Sequence, residues 1–199
     1  MPFAEDKKRV LAKLFSPDKS KKGDVDKEII PLLTAINAID VLYTTSSCSG
    51  RIVLLEEPAS KKKHEARWLF VSHAVVDAQD LLNVELSIDE GSTLYLRQES
   101  AILHVACKDL DAAKKLLELC REEGLKHSGI VSFSKTGRIM VEMFFNERMD
   151  APVKVGKDKL VDDTYVVRAV AIANEKLSTT HKKLAVLVRR FTTWKKQEQ

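Results

Sequence analysis

From Asp163 onward, Val166, Val170, Ala173, Leu177, Thr180, Leu184, Leu187, Phe191 and Trp194 follow one another at alternating steps of four and three. Those steps keep side chains on one face of an α-helix. Nothing interrupts the pattern for about eight turns at 3.6 residues per turn, so one long helix over residues 163–196 is expected. Its apolar stripe needs cover. Packing on the chain's own domain is expected ahead of a coiled-coil dimer, and the chain reads as a monomer. Lys182, Lys183, Arg189 and Arg190 lie toward the basic end of this helix.

The body that must carry that helix is built of short pieces. PFAEDKKRVLAKLF reads as an opening helix with Val10, Leu11, Leu14 and Phe15 on one face, and SPDKSKKGD is loop chemistry punctuated by Pro17 and Gly23. Asp24 is a candidate cap for a helix through VDKEIIPLLTAINAI, which Pro31 delimits or kinks. VLYTT and RIVLLE, separated by a Ser/Cys/Gly stretch, read as a hairpin. RWLFVSH is a further strand, DAQDLL is helical, and STLYLRQ and AILHVAC read as another strand pair. DLDAAKKLLELCREEG is a helix with Leu110, Ala113, Leu116, Leu117 and Cys120 on its apolar face and Gly124 at its end. GIVSFSKTGRIMVEMFF is a hairpin turning at KTG. WLFVSHAVVDAQDLL and ILHVACKDLDAAKKLL share an order of strand, histidine, Asp-Ala and Leu-Leu, which suggests halves at 41–97 and 101–146. The expectation is one α+β domain over 1–199. It would hold a mixed or antiparallel sheet of duplicated strand–helix–hairpin units, N-terminal helices and the long C-terminal helix. It is not a Rossmann fold.

No run approaches the roughly 18 apolar residues of a spanning helix, and MPFAEDKKRVLAKLF is too charged for a signal peptide, so a cytoplasmic location without a membrane is expected. Cys48, Cys107 and Cys120 form neither a disulfide framework nor a C-x-x-C pair, which fits reduced thiols. The net charge of +4 is unevenly spread. Residues 1–22 hold seven Lys/Arg against three acids, 61–67 four against one and 181–199 six against one, whereas 77–123 holds eleven acids against five bases. Charge alone leaves a solvated lysine-rich face and a nucleic-acid-binding face both open.

The two glycine-rich nucleotide-binding fingerprints are absent, as are G-x-S-x-G and H-E-x-x-H. No local ligand spacing supports a metal, and none is expected. What stands out is TTSSCSGR, residues 44–51, with five hydroxyl side chains, a cysteine, a glycine and an arginine in eight positions. Hydroxyls and backbone N–H groups at a turn can cradle an anion, and Arg51 can clamp phosphate or carboxylate; equally, a serine-rich turn can satisfy its own backbone. Trp68, next to KKKHEAR, could stack a base, but in an apolar strand it reads first as core. His73 and His104 hold comparable places in the two halves, where each alone would serve structure.

The stretch DKSKKGDVDKEIIPLLTAINAIDVLYTTSSCSGRI resembles the signature of the tRNA wybutosine-synthesising protein 3 family. The resemblance continues through WLFVSH, AILHVACKDLDAAKKLL, HSGI and the AN of VAIANEKL. Glu65, Ala66 and Arg67 stand where the family tends to have glycines, Ser100 where it tends to have proline, and MFF where it tends to have an arginine. The resemblance implies an S-adenosylmethionine-dependent methyltransferase that acts on N4 of the tricyclic 4-demethylwyosine-type base beside the anticodon of phenylalanine tRNA. A non-catalytic tRNA-binding module is the alternative. Carried onto matching positions, the implied site comprises Asp26, Ser46, Ser47, Cys48, Ser49, Gly50, Arg51, Trp68, His73, His104, Ser128 and Gly129. Within it we expect His104 and Asp26 at the proton transfer and Ser46, Ser47, Ser49, Gly50, Arg51, Ser128 and Gly129 at the cofactor. Lys22, Trp68 and His73 are expected at the tRNA, with the basic segments along the anticodon stem-loop.

Overall fold

The structure, a computed structural model, describes residues 2–14, 25–84, 87–134 and 137–197. Lys22, Asp24, Phe15, Pro17, Gly23 and most of the KTG turn lie outside the described residues. Two compact units form. One comprises Met1–Ser49, Ala101–Asn146 and His181–Gln199, the other Gly50–Ser100 and Glu147–Thr180. No helix among the described residues is long and apolar enough to cross a membrane.

The first unit contains α1 (Phe3–Leu11), a 3-10 turn (Lys27–Ile29) running into α2 (Ile30–Asn37), and β1 (Leu42–Cys48). The second unit takes β2 (Arg51–Glu57), β3 (Arg67–Ser72), α3 (Ala78–Leu82) and β4 (Thr93–Glu99). The chain then returns to the first unit for β5 (Ile102–Cys107), α4 (Leu110–Glu122), β6 (Gly129–Phe133) and β7 (Ile139–Phe144). β8 (Met149–Val155) and β9 (Asp158–Lys159) belong to the second unit, and α5 (Asp163–Gln197) begins there and ends in the first. All pairings are antiparallel, in a four-stranded sheet of order β1-β5-β7-β6 and a five-stranded sheet of order β3-β2-β4-β8-β9.

Two expected pairings do not form. β1 pairs with β5 and not β2, while β4 pairs with β2 and β8 and not β5. The cause is the destination of the side chains. Leu42 of β1 packs in the first core and Ile52 and Leu54 of β2 in the second, so the chain leaves one sheet at Ser49 and enters the other at Gly50. Gly50 has φ 88°, a left-handed conformation that a Cβ disfavours. β1, which lies within 41–97, therefore shares a sheet with strands of 101–146.

The first core lies between one face of the four-stranded sheet (Leu103, Val105, Val141, Met143) and α2, α4 and the C-terminal part of α5. Pro31 falls in the first turn of α2, where its missing N–H matters least, so it delimits the helix without kinking it. Asp109 caps α4 by accepting from Ala112 N–H at 2.9 Å, and Gly124 (φ 79°) closes it in a Schellman motif, with Leu125 N–H on Cys120 O and Gly124 N–H on Arg121 O. Leu110, expected on the buried face, is exposed and Leu119 is buried instead, because the face centres on Ala112, Ala113, Leu116 and Cys120. Burial pushes the Cys107 thiol up to about 12 and the Cys120 thiol to about 11, so both stay protonated packing groups.

The long helix stands as expected, and its stripe serves both cores. Val170, Ala173 and Leu177 pack with Ile52, Leu94, Leu96 and Val153 in the second unit, and Leu184, Leu187, Phe191 and Trp194 pack in the first. Thr180 fits the apolar stripe because its hydroxyl donates to Lys176 O at 3.1 Å. Asn174, from the AN motif, binds both backbone groups of Val76, accepting at 2.9 Å and donating at 2.8 Å. That motif residue thus ties the segment before α3 to α5.

Candidate active site

On the face of the four-stranded sheet away from the first core, side chains fall into cross-strand rows. Regular alternation after Thr44, which pairs with Val105, would place Thr45 opposite His104. A β-bulge between Thr44 and Ser46 inserts the extra residue, and Ser46 becomes the partner of His104. His104 in turn pairs with Glu142 of β7, and Glu142 with Gly129 of β6. Cross-strand neighbours stand about 5 Å apart at Cβ, close enough for side chains to bond.

They do. Ser46 Oγ lies 2.9 Å from His104 Nδ1, and His104 Nε2 lies 3.1 Å from Glu142 Oε2. A carboxylate only accepts, so Nε2 carries a proton; in the neutral ring Nδ1 is then an acceptor, and the Ser46 hydroxyl donates to it. Ser46 is exposed, and the side chains of His104 and Glu142 are 31% and 29% exposed, so solvent and ligands reach the row.

The same unit holds Asp26 and the rest of the serine-rich segment. Asp26, just before the 3-10 turn, accepts the Ser49 N–H at 2.7 Å and so anchors the end of β1 to the segment that opens α2. Ser49 is fully buried, Ser47 and Cys48 are half-buried, and Cys48 follows Ser46 onto the outer face opposite Ile102. Ser128 accepts the Phe144 N–H at 3.0 Å and bonds the Cys120 thiol, so its hydroxyl is engaged within the fold.

In the second unit, Arg51 donates from Nε to Glu99 at 2.5 Å, and its guanidinium lies 3.6 Å from the centroid of the Trp68 ring. Trp68 is 50% exposed, which corrects its reading as a core residue: β3 is an edge strand and the indole stands on its outer side, covered on one face by Arg51. His73 donates from Nδ1 to Gly50 O at 3.0 Å, a carbonyl being only an acceptor, and thereby fastens the segment after β3 to the start of β2.

The family model described as Methyltransferase TYW3 matches residues 5–193. The chain belongs to this family. It is 39% identical over 197 residues to a Methanocaldococcus jannaschii protein named tRNA(Phe) 7-((3-amino-3-carboxypropyl)-4-demethylwyosine(37)-N(4))-methyltransferase, covering 98% of this chain and 100% of that one. It is 36% identical to tRNA wybutosine-synthesizing protein 2/3/4 of Arabidopsis thaliana, over 92% of this chain but 20% of that longer protein. The PH1069 protein of Pyrococcus horikoshii has the same fold, with TM-score 0.85, 36% identity and 95% of each chain covered. The serine-rich segment thus forms the end of β1 and its bulge, with Ser49 held by Asp26.

Sequence reasoning named His104, Asp26 and the serines as candidates and did not name Glu142 or Glu99, which the structure places beside His104 and Arg51. Glu142 had a signal: it is the acidic residue in the otherwise apolar strand IMVEMF, and an acid at an alternation position of such a strand marks a face that is not core.

Proposed function

We propose that this methyltransferase methylates N4 of the 7-(3-amino-3-carboxypropyl)-4-demethylwyosine base at position 37 of tRNA(Phe), with S-adenosylmethionine as methyl donor. The sequence leaves open whether the base already carries the aminocarboxypropyl chain; the name of the Methanocaldococcus relative supports the reading that it does. Membership of the TYW3 family over nearly the whole chain, with the serine-rich segment intact and next to a histidine on an open face, is the observation that carries the proposal.

The donor set of the first unit suits the cofactor. The serine-rich end of β1 and the Asp26 carboxylate that anchors it offer hydroxyl donors and an acceptor, the kinds of group that take an amino-acid carboxylate and an ammonium. S-adenosylmethionine supplies a methyl group already activated by the sulfonium. The protein therefore has to align and exclude water, a positioning effect worth up to roughly 7–11 kcal/mol. It must also receive the N4 proton. His104 is the base of the site, because its protonated Nε2 faces Glu142 and its accepting Nδ1 faces the exposed Ser46. In the second unit, considered by itself, the open face of Trp68 offers a stacking platform to a base of the tRNA, with the Arg51 guanidinium against the ring.

The test is methyl transfer from labelled S-adenosylmethionine to tRNA(Phe) carrying the precursor base, with Asp26→Ala alongside. Transfer by the native chain and a loss of at least about a hundredfold in the variant are expected, as for a group that organises a site. A folded native protein that leaves verified precursor unmethylated would falsify the proposal.

A further inference from the structure

Both ring nitrogens of His104 are engaged, Nε2 by Glu142 at 3.1 Å and Nδ1 by Ser46 at 2.9 Å. A substrate proton therefore has no direct route onto the imidazole; the group that faces outward from the row is the hydroxyl of Ser46, which is exposed. A serine hydroxyl accepts and donates at once, so it can pass a proton without carrying a charge for long.

We propose that Ser46, His104 and Glu142 form a proton relay, with Ser46 Oγ as the group that touches N4 and Glu142 as a positioning residue acting through His104. This rests on the methyl transfer proposed above. As the N4 electron pair forms the bond to the methyl carbon, the N4 proton passes to Ser46 Oγ. The proton of Ser46 moves to His104 Nδ1, and the sulfonium departs as a neutral thioether with the electrons of the broken carbon–sulfur bond. His104 becomes imidazolium, and the Glu142 carboxylate faces that new positive charge. Glu142 has a second effect before the reaction: it holds the ring in the tautomer whose Nδ1 is unprotonated, without which Ser46 has no acceptor.

The β-bulge is the structural device that makes this arrangement. It brings Ser46 into register with His104 in place of Thr45, and bulges commonly re-aim a side chain in this way. The relay also separates Ser46 from Ser47 and Ser49: adjacent serines of one motif serve the proton and the cofactor separately. A purely structural row of cross-strand bonds predicts, in contrast, that its removal changes stability and leaves turnover per folded molecule alone.

The experiment has two readouts on the native protein and on Ser46→Ala, Glu142→Gln and Glu142→Asp. The first is nitrogen NMR of protein labelled in its histidine rings, which reports the His104 tautomer without any reaction. The second is single-turnover methylation of precursor tRNA together with the Kd for S-adenosylmethionine and for tRNA. Glu142→Gln should mix the tautomers and slow methylation by about 10- to 100-fold at unchanged Kd values, with Glu142→Asp recovering part of the rate; Ser46→Ala should slow it by about 100-fold, again at unchanged Kd, within the range of general acid–base contributions. If Ser46→Ala instead weakens S-adenosylmethionine binding in proportion to the rate, Ser46 is a cofactor ligand and the relay is overturned. An unchanged tautomer and rate in the folded Glu142 variants overturns it too, while the proposed function survives. A native protein that does not methylate at all removes both.

Discussion

Two neighbouring rows on the same outer face of the four-stranded sheet have opposite fates. In one, Tyr43 of β1 is covered by α1: Phe3 packs on its ring at 5.1 Å between centroids, and Asp6 accepts from its hydroxyl at 2.6 Å. Arg138 donates to the same Asp6 oxygen at 2.8 Å and to Tyr43 Oη at 2.9 Å, and Arg9 donates to the other carboxylate oxygen at 2.6 Å. In the next row, Ser46, His104 and Glu142 are also linked side chain to side chain, at 2.9 and 3.1 Å, but Ser46 is exposed and His104 and Glu142 stay open to solvent. Both rows have an acid, a donor and a hydroxyl. Burial makes the first a fastening for α1, since a buried polar cluster is stable only when every member is paired. Exposure leaves the second within reach of a ligand, which the proposed relay requires.

The comparison breaks most sharply at the imidazole. His104→Ala should lower methylation by about a hundredfold to ten-thousandfold, the usual range for a proton-transfer group, while the denaturant midpoint barely moves. If activity survives, the open row is structural after all. On the covered row the pattern should reverse: Asp6→Ala leaves Tyr43 and Arg138 without their shared acceptor and should lower unfolding free energy by about 1–3 kcal/mol, with turnover per folded molecule kept. Denaturant titrations paired with single-turnover assays measure both.

The pH dependence of stability sharpens the contrast. Hydrogen bonds from Tyr43 and then Arg9, with Arg138 adding to them, hold the Asp6 carboxyl down to about 2 against an ordinary 3.8. Its folded value lies below its unfolded value, so the unfolded chain binds the extra proton first. The Asp6 contribution is therefore complete above about pH 5 and is lost as pH falls toward 2. The stability gap between the native chain and Asp6→Asn should shrink over that window; a gap that is flat with pH would mean that Asp6 holds α1 by packing alone. The smallest effect belongs to Thr45, the bulged residue between the rows. Its exposed hydroxyl meets His104 O only at 3.3 Å, so Thr45→Ala should shift stability by no more than about 0.5 kcal/mol.

Much of this molecule was legible in its sequence wherever local physics decides. The stripe from Val166 to Trp194 specifies the long helix, Asp109 and Gly124 bound α4, and GIVSF and IMVEMF form the expected hairpin. The opening helix was found but its buried side was not: Val10 and Leu11 are only half-buried, and Asp6 is the buried residue of α1, because a carboxylate with three donors is cheaper to bury than periodicity suggests. β8 was missed, since Pro152 interrupts MDAPVKV and the charges around it mask Ala151 and Val153 on the inner face.

The site divides along the same line. Which residue types are present, hydroxyls beside a glycine and arginine, a histidine in an apolar strand, an acid in another, is a property of the chain, and the resemblance to a family rests on it. Which of them meet is a matter of register. Strand alternation from Thr44 would aim Thr45 at His104, and one bulge exchanges it for Ser46; hairpin logic would join β1 to β2, and burial of Leu42 and Ile52 in different cores sends them to different sheets. Local periodicity is written in adjacent residues. Pairing across strands depends on free energy summed over a whole core, so only the folded chain could place a serine, a histidine and a glutamate in one row.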